Sequence, residues 1–313
     1  MRILLIKTSS LGDVIHNLPV VTDLRARFPD AAIDWIVEEA FADVVRLHPA
    51  VRRVLPVAIR RWRGSLLAPA SWAEMRSFHT ALRSESYDLV LDTQGLLKSA
   101  LLTRMACGRR CGYAATSARE PVAARFYDSA FEVPKNLHAV ERNRRLAALA
   151  ADYSMAPAPD YGIAASPAPV PETPSAFLLT ATSRDDKLWP EERWTALGRA
   201  LQDRGLACLL PSGSPSERQR ANRLAASIPG AVALPPLGLA ALATQLASAR
   251  VVIGVDTGLA HLAVALGRPT VALFCASDPA LTGVLAATPA INLGAHGQPP
   301  ELDAVLAAVA PFL

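Results

Sequence analysis

Apolar positions in this chain fall into short β-rich runs separated by longer stretches in which they recur at helical spacing. Residues 251–274, VVIGVDTGLAHLAVALGRPTVALF, show the pattern most fully. Val251, Val252, Ile253 and Val255 form a continuous apolar strand, and Leu259, Leu262, Ala263 and Leu266 follow at helical spacing. Gly267 and Pro269 stop that helix, and Thr270 to Phe274 is a second buried strand. The N-terminal half repeats the alternation. RILLIK at 2–7 is a strand, TSSLGD a polar turn, and a helix runs from about Ile15 to Phe28, where Pro29-Asp30 ends it. A strand at Ala32–Val37, a helix near Ala40–Leu47 and a strand at Val51–Val57 follow. Tyr87–Asp92 is another strand, leading through the turn DTQGLLKS into an apolar helix that ends at Met105.

Residues 154–175 break the rhythm: they carry six prolines and little periodic apolar content, the composition of a linker. A second series then begins with a strand at 177–182 and a helix from about Glu191 to Arg204. A strand at 207–211, a helix over about Glu217–Ser227 and the 251–274 unit complete it. The last helix, roughly Leu302–Val309, is expected to pack back on the first half. Strands alternating with helices predict parallel sheets covered on both faces, an α/β fold of two Rossmann-like domains. The expected boundaries are an N-terminal domain at 1–160, a proline-rich linker at 161–175 and a C-terminal domain at 176–313. Open α/β sheets bind ligands at the carboxyl ends of their strands. The turns Thr8–Asp13, Ala181–Lys187 and Asp256–Gly258 all lie at such ends and converge if the domains face each other across a cleft.

Composition narrows the chemistry. An apolar fraction of 51% over 313 residues supplies a sizeable core. The net charge of +4 suits anionic ligands or an anionic membrane surface but is too weak to argue for nucleic acid. Cys107, Cys111, Cys208 and Cys275 have no zinc-ligand spacing and are read as reduced thiols, mostly buried. The apolar run Ile3–Ile6 is too short for a signal peptide, and no span of about 20 residues is apolar and uncharged, so a soluble intracellular protein is expected.

Each candidate site has a structural and a functional reading. Asp13 either caps the helix after the first strand or acts as a general base positioned by the Gly12 turn. That turn is neither a P-loop nor a dinucleotide fingerprint. Thr182, Ser183 and Lys187 could meet a diphosphate, or Arg184, Asp185, Asp186 and Lys187 could pair among themselves. Glu217 follows a strand and a PSGSPS turn, where a carboxylate can accept from ribose hydroxyls or compensate a helix N-terminus. Asp256, Thr257 and Gly258 sit where a strand enters a helix, a place that either holds phosphate or is simply capped. His261, one turn further, is a pocket residue or a core histidine. Ile59–Leu66 gathers Arg60, Arg61 and Arg63 around Trp62, either a mobile basic loop for an anionic acceptor or a solvated turn; Arg109, Arg110, Lys98 and Arg104 add charge to the same half. No metal-ligand spacing and no Asp-x-Asp are present.

Four stretches together resemble a known family: KTSSLGDVIHNLP at the start, DTQGLLKSAL at 92–101, ATSRDDKLWPEERW at 181–194 and GVDTGLAHLAVALGRPTVALF at 254–274. They are similar to the ADP-heptose:lipopolysaccharide heptosyltransferases of glycosyltransferase family nine, with the KTSSLGD opening favouring the type I branch. The resemblance implies a GT-B fold with the acceptor site in the first domain and the nucleotide-sugar site in the second. It implies inverting transfer of L-glycero-D-manno-heptose from ADP-heptose to the first Kdo of Kdo2-lipid A. The enzyme would be a peripheral, monomeric one at the cytoplasmic face of the inner membrane, with no tightly bound cofactor or metal. On this resemblance Asp13 is the base, and Thr182, Ser183 and Lys187 contact the diphosphate together with the N–H groups of Thr257 and Gly258 and the neighbouring Leu259. Glu217 is the ribose ligand, Leu237 stands near the adenine where the family often has Met, Asp256 binds a heptose hydroxyl and His261 lines that pocket. Lys7, Ser9, Ser10, Gly12, Arg60, Arg61, Arg63, Gln94 and Lys98 form the acceptor side. Two other readings are a family member with a different acceptor and a non-catalytic GT-B nucleotide-binding protein.

Overall fold

Strand β1 (Arg2–Ile6) is apolar on both faces, as a strand must be when helices cover both sides of a parallel sheet, and Ile3 to Ile6 are fully buried. The computed structural model describes residues 1–65, 68–165 and 173–313. It divides into two compact units, Met1–Gly162 and Ile163–Leu313.

In the first unit β1 is followed by α1 (Leu11–Ile15), α2 (Leu18–Arg27), β2 (Ala32–Glu38), α3 (Ala42–Arg46) and β3 (Val51–Val57). Next come α4 (Ile59–Gly64), α5 (Pro69–Arg83), β4 (Ser86–Asp92), α6 (Leu97–Met105), β5 (Cys107–Tyr113), β6 (Ser129–Phe131) and α7 (Ala139–Ala151). The sheet is wholly parallel, in the order β3-β2-β1-β4-β5-β6. Chain connections leave β1 toward one edge through β2 and toward the other through β4, so the β1/β4 boundary is the topological switch point.

The helix expected over 15–28 is two helices. Pro19 lies in the first turn of α2, where its missing N–H costs nothing; a helix continued through it from α1 would lose a backbone bond. The first helix also begins earlier, at Leu11, which places Asp13 on it rather than before it. At the other end of the unit Gly162 has φ +63°, and a Cβ there would meet His48 Nε2 at 2.3 Å and Thr22 Oγ1 at 2.5 Å. Within the proline-rich linker expected at 161–175, Tyr161 is buried and β7 already starts at Ser175, while residues 166–172 lie outside the described residues.

The second unit contains β7 (Ser175–Leu179), α8 (Glu191–Gln202), β8 (Ala207–Leu210), α9 (Pro215–Ser227), β9 (Val232–Ala233) and α10 (Leu239–Ala247). It continues with β10 (Val251–Val255), α11 (Gly258–Ala265), β11 (Thr270–Phe274), α12 (Pro279–Thr282), β12 (Ala290–Gly294) and α13 (Leu302–Val309). The parallel order β12-β11-β10-β7-β8-β9 repeats the connectivity of the first sheet, with its switch point between β7 and β10. Trp189 and Trp194 meet edge to face, ring centroids 5.1 Å apart, in this unit's core. The C-terminal helix, expected on the first half, is built into this core instead: Val305 and Val309 of α13 are fully buried in it, packed on α8, β11 and β12. Among the described residues no helix is long and apolar enough to cross a membrane.

Candidate functional site

Each unit has its own switch point. In the first unit the chain leaves β1 through Lys7–Ser10 and enters α1, and the next strand over, β4, ends in Asp92, Thr93 and Gln94. Gln94 ties the two strand ends together. Its Oε1 accepts from the N–H groups of Thr8 (2.7 Å) and Ser9 (3.2 Å), and its Nε2 donates to the Ser9 carbonyl (2.5 Å). Gln94 is itself fixed by Asp92, whose Oδ1 accepts from the Gln94 N–H at 2.8 Å and whose Oδ2 accepts from the hydroxyls of Ser99 and Tyr127, each at 2.7 Å. Burial pushes the Asp92 carboxyl up, against the pull of those donors.

Asp13 stands on the first turn of α1, partly exposed. Its Oδ2 accepts from the Ser10 N–H (2.9 Å) and the Ser10 hydroxyl (3.0 Å), while Oδ1 has no partner among the described residues. The capping and base readings therefore coexist: one oxygen holds the turn and the other is open. Gly12 precedes Asp13 within the same helix.

Cations surround this carboxylate at different depths. Lys7 is buried and used by its own chain, Nζ donating to the Thr93 carbonyl (2.8 Å) and to Asn143 Oδ1 (3.4 Å). Burial lowers its pKa, opposed by the charges of Asp13 and Asp92. Lys98, on α6, donates to Ser9 Oγ at 2.9 Å, and burial lowers its pKa against the field of Glu38. The segment expected as a loop at 59–66 is helix α4 up to Gly64; Leu66 lies outside the described residues. Trp62 is tucked in, donating to Glu74 Oε2 at 2.7 Å and packing on Phe78, so it is not a displayed side chain. Arg61 is bound to Glu39 and Glu74, whereas the exposed Arg60 and Arg63 side chains have no acidic partner among the described residues. Of the other arginines, Arg109 donates to the Ala150 carbonyl and Arg110 pairs with Asp128.

In the second unit the strand expected over 177–182 ends at Leu179, which leaves Thr180–Ser183 beyond the sheet. Thr182 Oγ1 donates to the Asp256 carbonyl at 2.9 Å, bridging the ends of β7 and β10. Lys187 Nζ lies 2.6 Å from Asp256 Oδ2, and the Ser277 hydroxyl donates to that same oxygen at 2.5 Å. Of the local pairings considered for 184–187, Arg184 does bind Asp186, but Lys187 reaches across to β10 instead. Thr257 is the N-cap of α11 without a side-chain cap bond, so its hydroxyl takes none of the first N–H groups of that helix. His261 is buried on α11. Glu217 Oε2 accepts from the N–H groups of Gly213 (2.7 Å) and Ser214 (3.1 Å) in a capping box, leaving Oε1 unpartnered among the described residues. Ser183 is exposed and Leu237 partly buried, both on loops.

Sequence reasoning missed Ser277, Glu38 and the ordering role of Asp92. Ser277 follows β11, and the polar CASD after an apolar strand was the same strand-end signal used elsewhere. Glu38 is buried at the end of β2 and accepts from the Arg60 N–H. Thr180 Oγ1 and Ser212 Oγ, just past β7 and β8, are buried without a partner. No group of three potential metal ligands occurs among the described residues.

Comparison with known proteins gives a concordant result. The sequence profile of glycosyltransferase family 9 (heptosyltransferase) matches residues 75–306. Lipopolysaccharide heptosyltransferase 1 of Pseudomonas aeruginosa is 48% identical over 90% of this chain and 81% of its own length. The structure of the E. coli heptosyltransferase WaaC with ADP superposes with a TM-score of 0.93 at 41% identity, covering 100% of both chains. The same enzyme with ADP-2-deoxy-2-fluoro heptose gives 0.86 at 42% identity, covering 100% of this chain and 98% of that one.

Proposed function

The chain belongs to glycosyltransferase family 9, the heptosyltransferases, and from that premise we propose that it transfers L-glycero-D-manno-heptose from ADP-heptose to the first Kdo of Kdo2-lipid A, with inversion. The fold is of GT-B type, with two Rossmann-like sheets. The observation that carries the reading is Asp13, with one carboxylate oxygen anchored by Ser10 and the other open beside a set of cations.

Asp13 Oδ1 takes the proton of the acceptor hydroxyl as that oxygen forms a bond to the anomeric carbon. The bond from that carbon to the ADP oxygen breaks, and the diphosphate leaves with the electron pair. A single displacement of this kind inverts the centre and needs one base and one stabilised leaving group. Lys187 and the N-terminal N–H groups of α11, with Thr182 and Ser183, are suited to the departing diphosphate, and the Asp256 pair presets the lysine. The open Glu217 oxygen suits ribose hydroxyls, Leu237 an adenine face, and Asp256 and His261 the heptose. A relative of the same family holds a fluorinated ADP-heptose, which supports this donor. Arg60 and Arg63, together with Lys98 beside Ser9, suit the carboxylates and phosphates of the acceptor. The protein acts as a monomer resting on the anionic cytoplasmic face of the inner membrane, and nucleic acid is not a partner.

The test is ADP release from ADP-heptose with and without Kdo2-lipid A. Acceptor-dependent release that vanishes in Asp13→Asn is expected. ADP-heptose binding without release from any acceptor would make this a binding protein, and release only with another acceptor would move it within the family.

A further inference from the structure

Helix α6 has one apolar stripe too many. Its Ala100, Leu102 and Thr103 face the sheet and are buried, which is the stripe a covering helix needs. A second stripe, Leu97, Leu101 and Met105, recurs every four residues along the helix; Leu97 is 38% and Leu101 49% exposed. This stripe forms one wall of a groove of about 580 Å³. Ile59 and Trp62 of α4 and Met75 and Phe78 of α5 form the others. That volume is in the range of about 300–1,000 Å³ typical of sites that enclose small apolar ligands.

The charged side chains say what fills it. Among the described lining residues two are cationic, Lys98 and Arg63, and one is acidic, Glu120, whose Oε2 accepts from the Leu97 N–H at 2.6 Å, so the balance favours an anion. Lys98 belongs to two places at once, lining the groove while its ammonium donates to Ser9 beside Asp13. An occupant therefore has an apolar body and an anionic head directed toward the Asp13 turn. We propose that the groove between α4, α5 and α6 takes an acyl chain of the lipid-linked acceptor, so that the enzyme grips its acceptor by the tail as well as by the sugar. This rests on the acceptor reading above. It differs from general adhesion to a bilayer, which needs a flat apolar or basic face and not a groove continuous with the acceptor end.

The experiment compares kcat/KM for ADP release with Kdo2-lipid A and with its fully deacylated form, in the wild type, Leu101→Glu and Leu149→Glu. Leu149, on α7 and 51% exposed, is a control of the same chemistry outside the groove. Binding of the acylated form is read in parallel from the emission change of Trp62, isolated as the difference from Trp62→Phe. In Leu101→Glu the acylated-to-deacylated ratio is expected to fall about tenfold, as for a chain losing one or two buried methylenes, and the emission change to disappear; Leu149→Glu keeps both. An unchanged ratio in Leu101→Glu, or an equal fall in Leu149→Glu, overturns the groove. A Trp62 response to the acylated form with turnover of neither acceptor leaves the groove standing and removes the acceptor reading. Neither binding nor turnover removes both.

Discussion

At the carboxyl end of β1 the carboxylate of Asp13 is held by its own turn, through Ser10; at the carboxyl end of β10 that of Asp256 is held from afar, by Lys187 after β7 and Ser277 after β11. The two sheets share one strand order, and the two acids flank the switch point from opposite sides: Asp13 follows the first strand of its sheet, Asp256 the fourth strand of its own. Local anchoring uses one oxygen of Asp13 and leaves the other without a partner among the described residues. Long-range anchoring turns Asp256 into a counter-ion that stores a cation. The comparison teaches that a switch point supplies only the location. What holds the acid there differs: the amide and hydroxyl of its own turn in the first unit, an ammonium and a hydroxyl from neighbouring strand ends in the second.

The largest effect that could break this contrast is in Asp13→Asn. Asparagine keeps an oxygen for the Ser10 donors and loses the base. Turnover is expected to fall by about 10²–10⁴-fold, the usual worth of a general base, while the melting temperature changes little. Near-normal kcat in that variant would leave Asp13 a cap and nothing more. Lys187→Ala comes next. It removes the stored cation and leaves Asp256, whose side chain is only 10% exposed, to the Ser277 hydroxyl. ADP affinity is expected to weaken about 10–100-fold, in line with the loss of a charge-assisted contact, with a stability loss of about 1–3 kcal/mol from a carboxylate without its counter-ion. Calorimetry with ADP that gives the wild-type affinity would remove Lys187 from the diphosphate site.

The same contrast explains what was legible in the sequence. Strands buried on both faces, such as β1 and β10, announce themselves as continuous apolar runs, and so do the turns after them. Strand β5 reads CGRRCGY, and its exposed first half bears the polar residues that hide it. Helix α5 lies over the sheet edge at β3 with Phe78 and Leu82 among its few buried side chains, too sparse a pattern to stand out. For the sites, Asp13 is ambiguous because capping and base chemistry favour the same residue at the same place; the structure shows the cap on one oxygen and leaves the other without a partner among the described residues. The Lys187–Asp256 pair was not readable, since nothing in either segment says that strand ends 69 residues apart are adjacent. Lys7, expected on the acceptor side, ends a buried strand and donates its ammonium to Thr93 and Asn143 of its own chain, a use that its sequence context does not show.

The smallest expected effect sharpens the comparison through stability instead of chemistry. His48 of the first unit accepts from the Ala50 N–H at Nδ1 (3.2 Å), so its proton sits on Nε2, 3.1 Å from Thr22 Oγ1. Burial lowers its pKa from 6.5 to about 4, against the pull of Asp160. A depressed histidine pKa means that between these values the unfolded chain binds the proton and the folded one refuses it. The stability from neutral His48 is thus fully present above about pH 6.5 and is lost as pH falls toward 4. The ceiling for such a shift is about 3 kcal/mol. Denaturant melts of the wild type at pH 7, 5.5 and 4 are expected to show that decline, and His48→Gln to flatten it while costing about 1 kcal/mol at pH 7 for the disturbed Ala50 and Thr22 bonds. Equal pH slopes in the two proteins would assign the acid sensitivity to other groups. A flattened slope confined to the first unit's transition, with ADP affinity at the second switch point unchanged, would show that the two halves keep separate stability ledgers as well as separate chemistry.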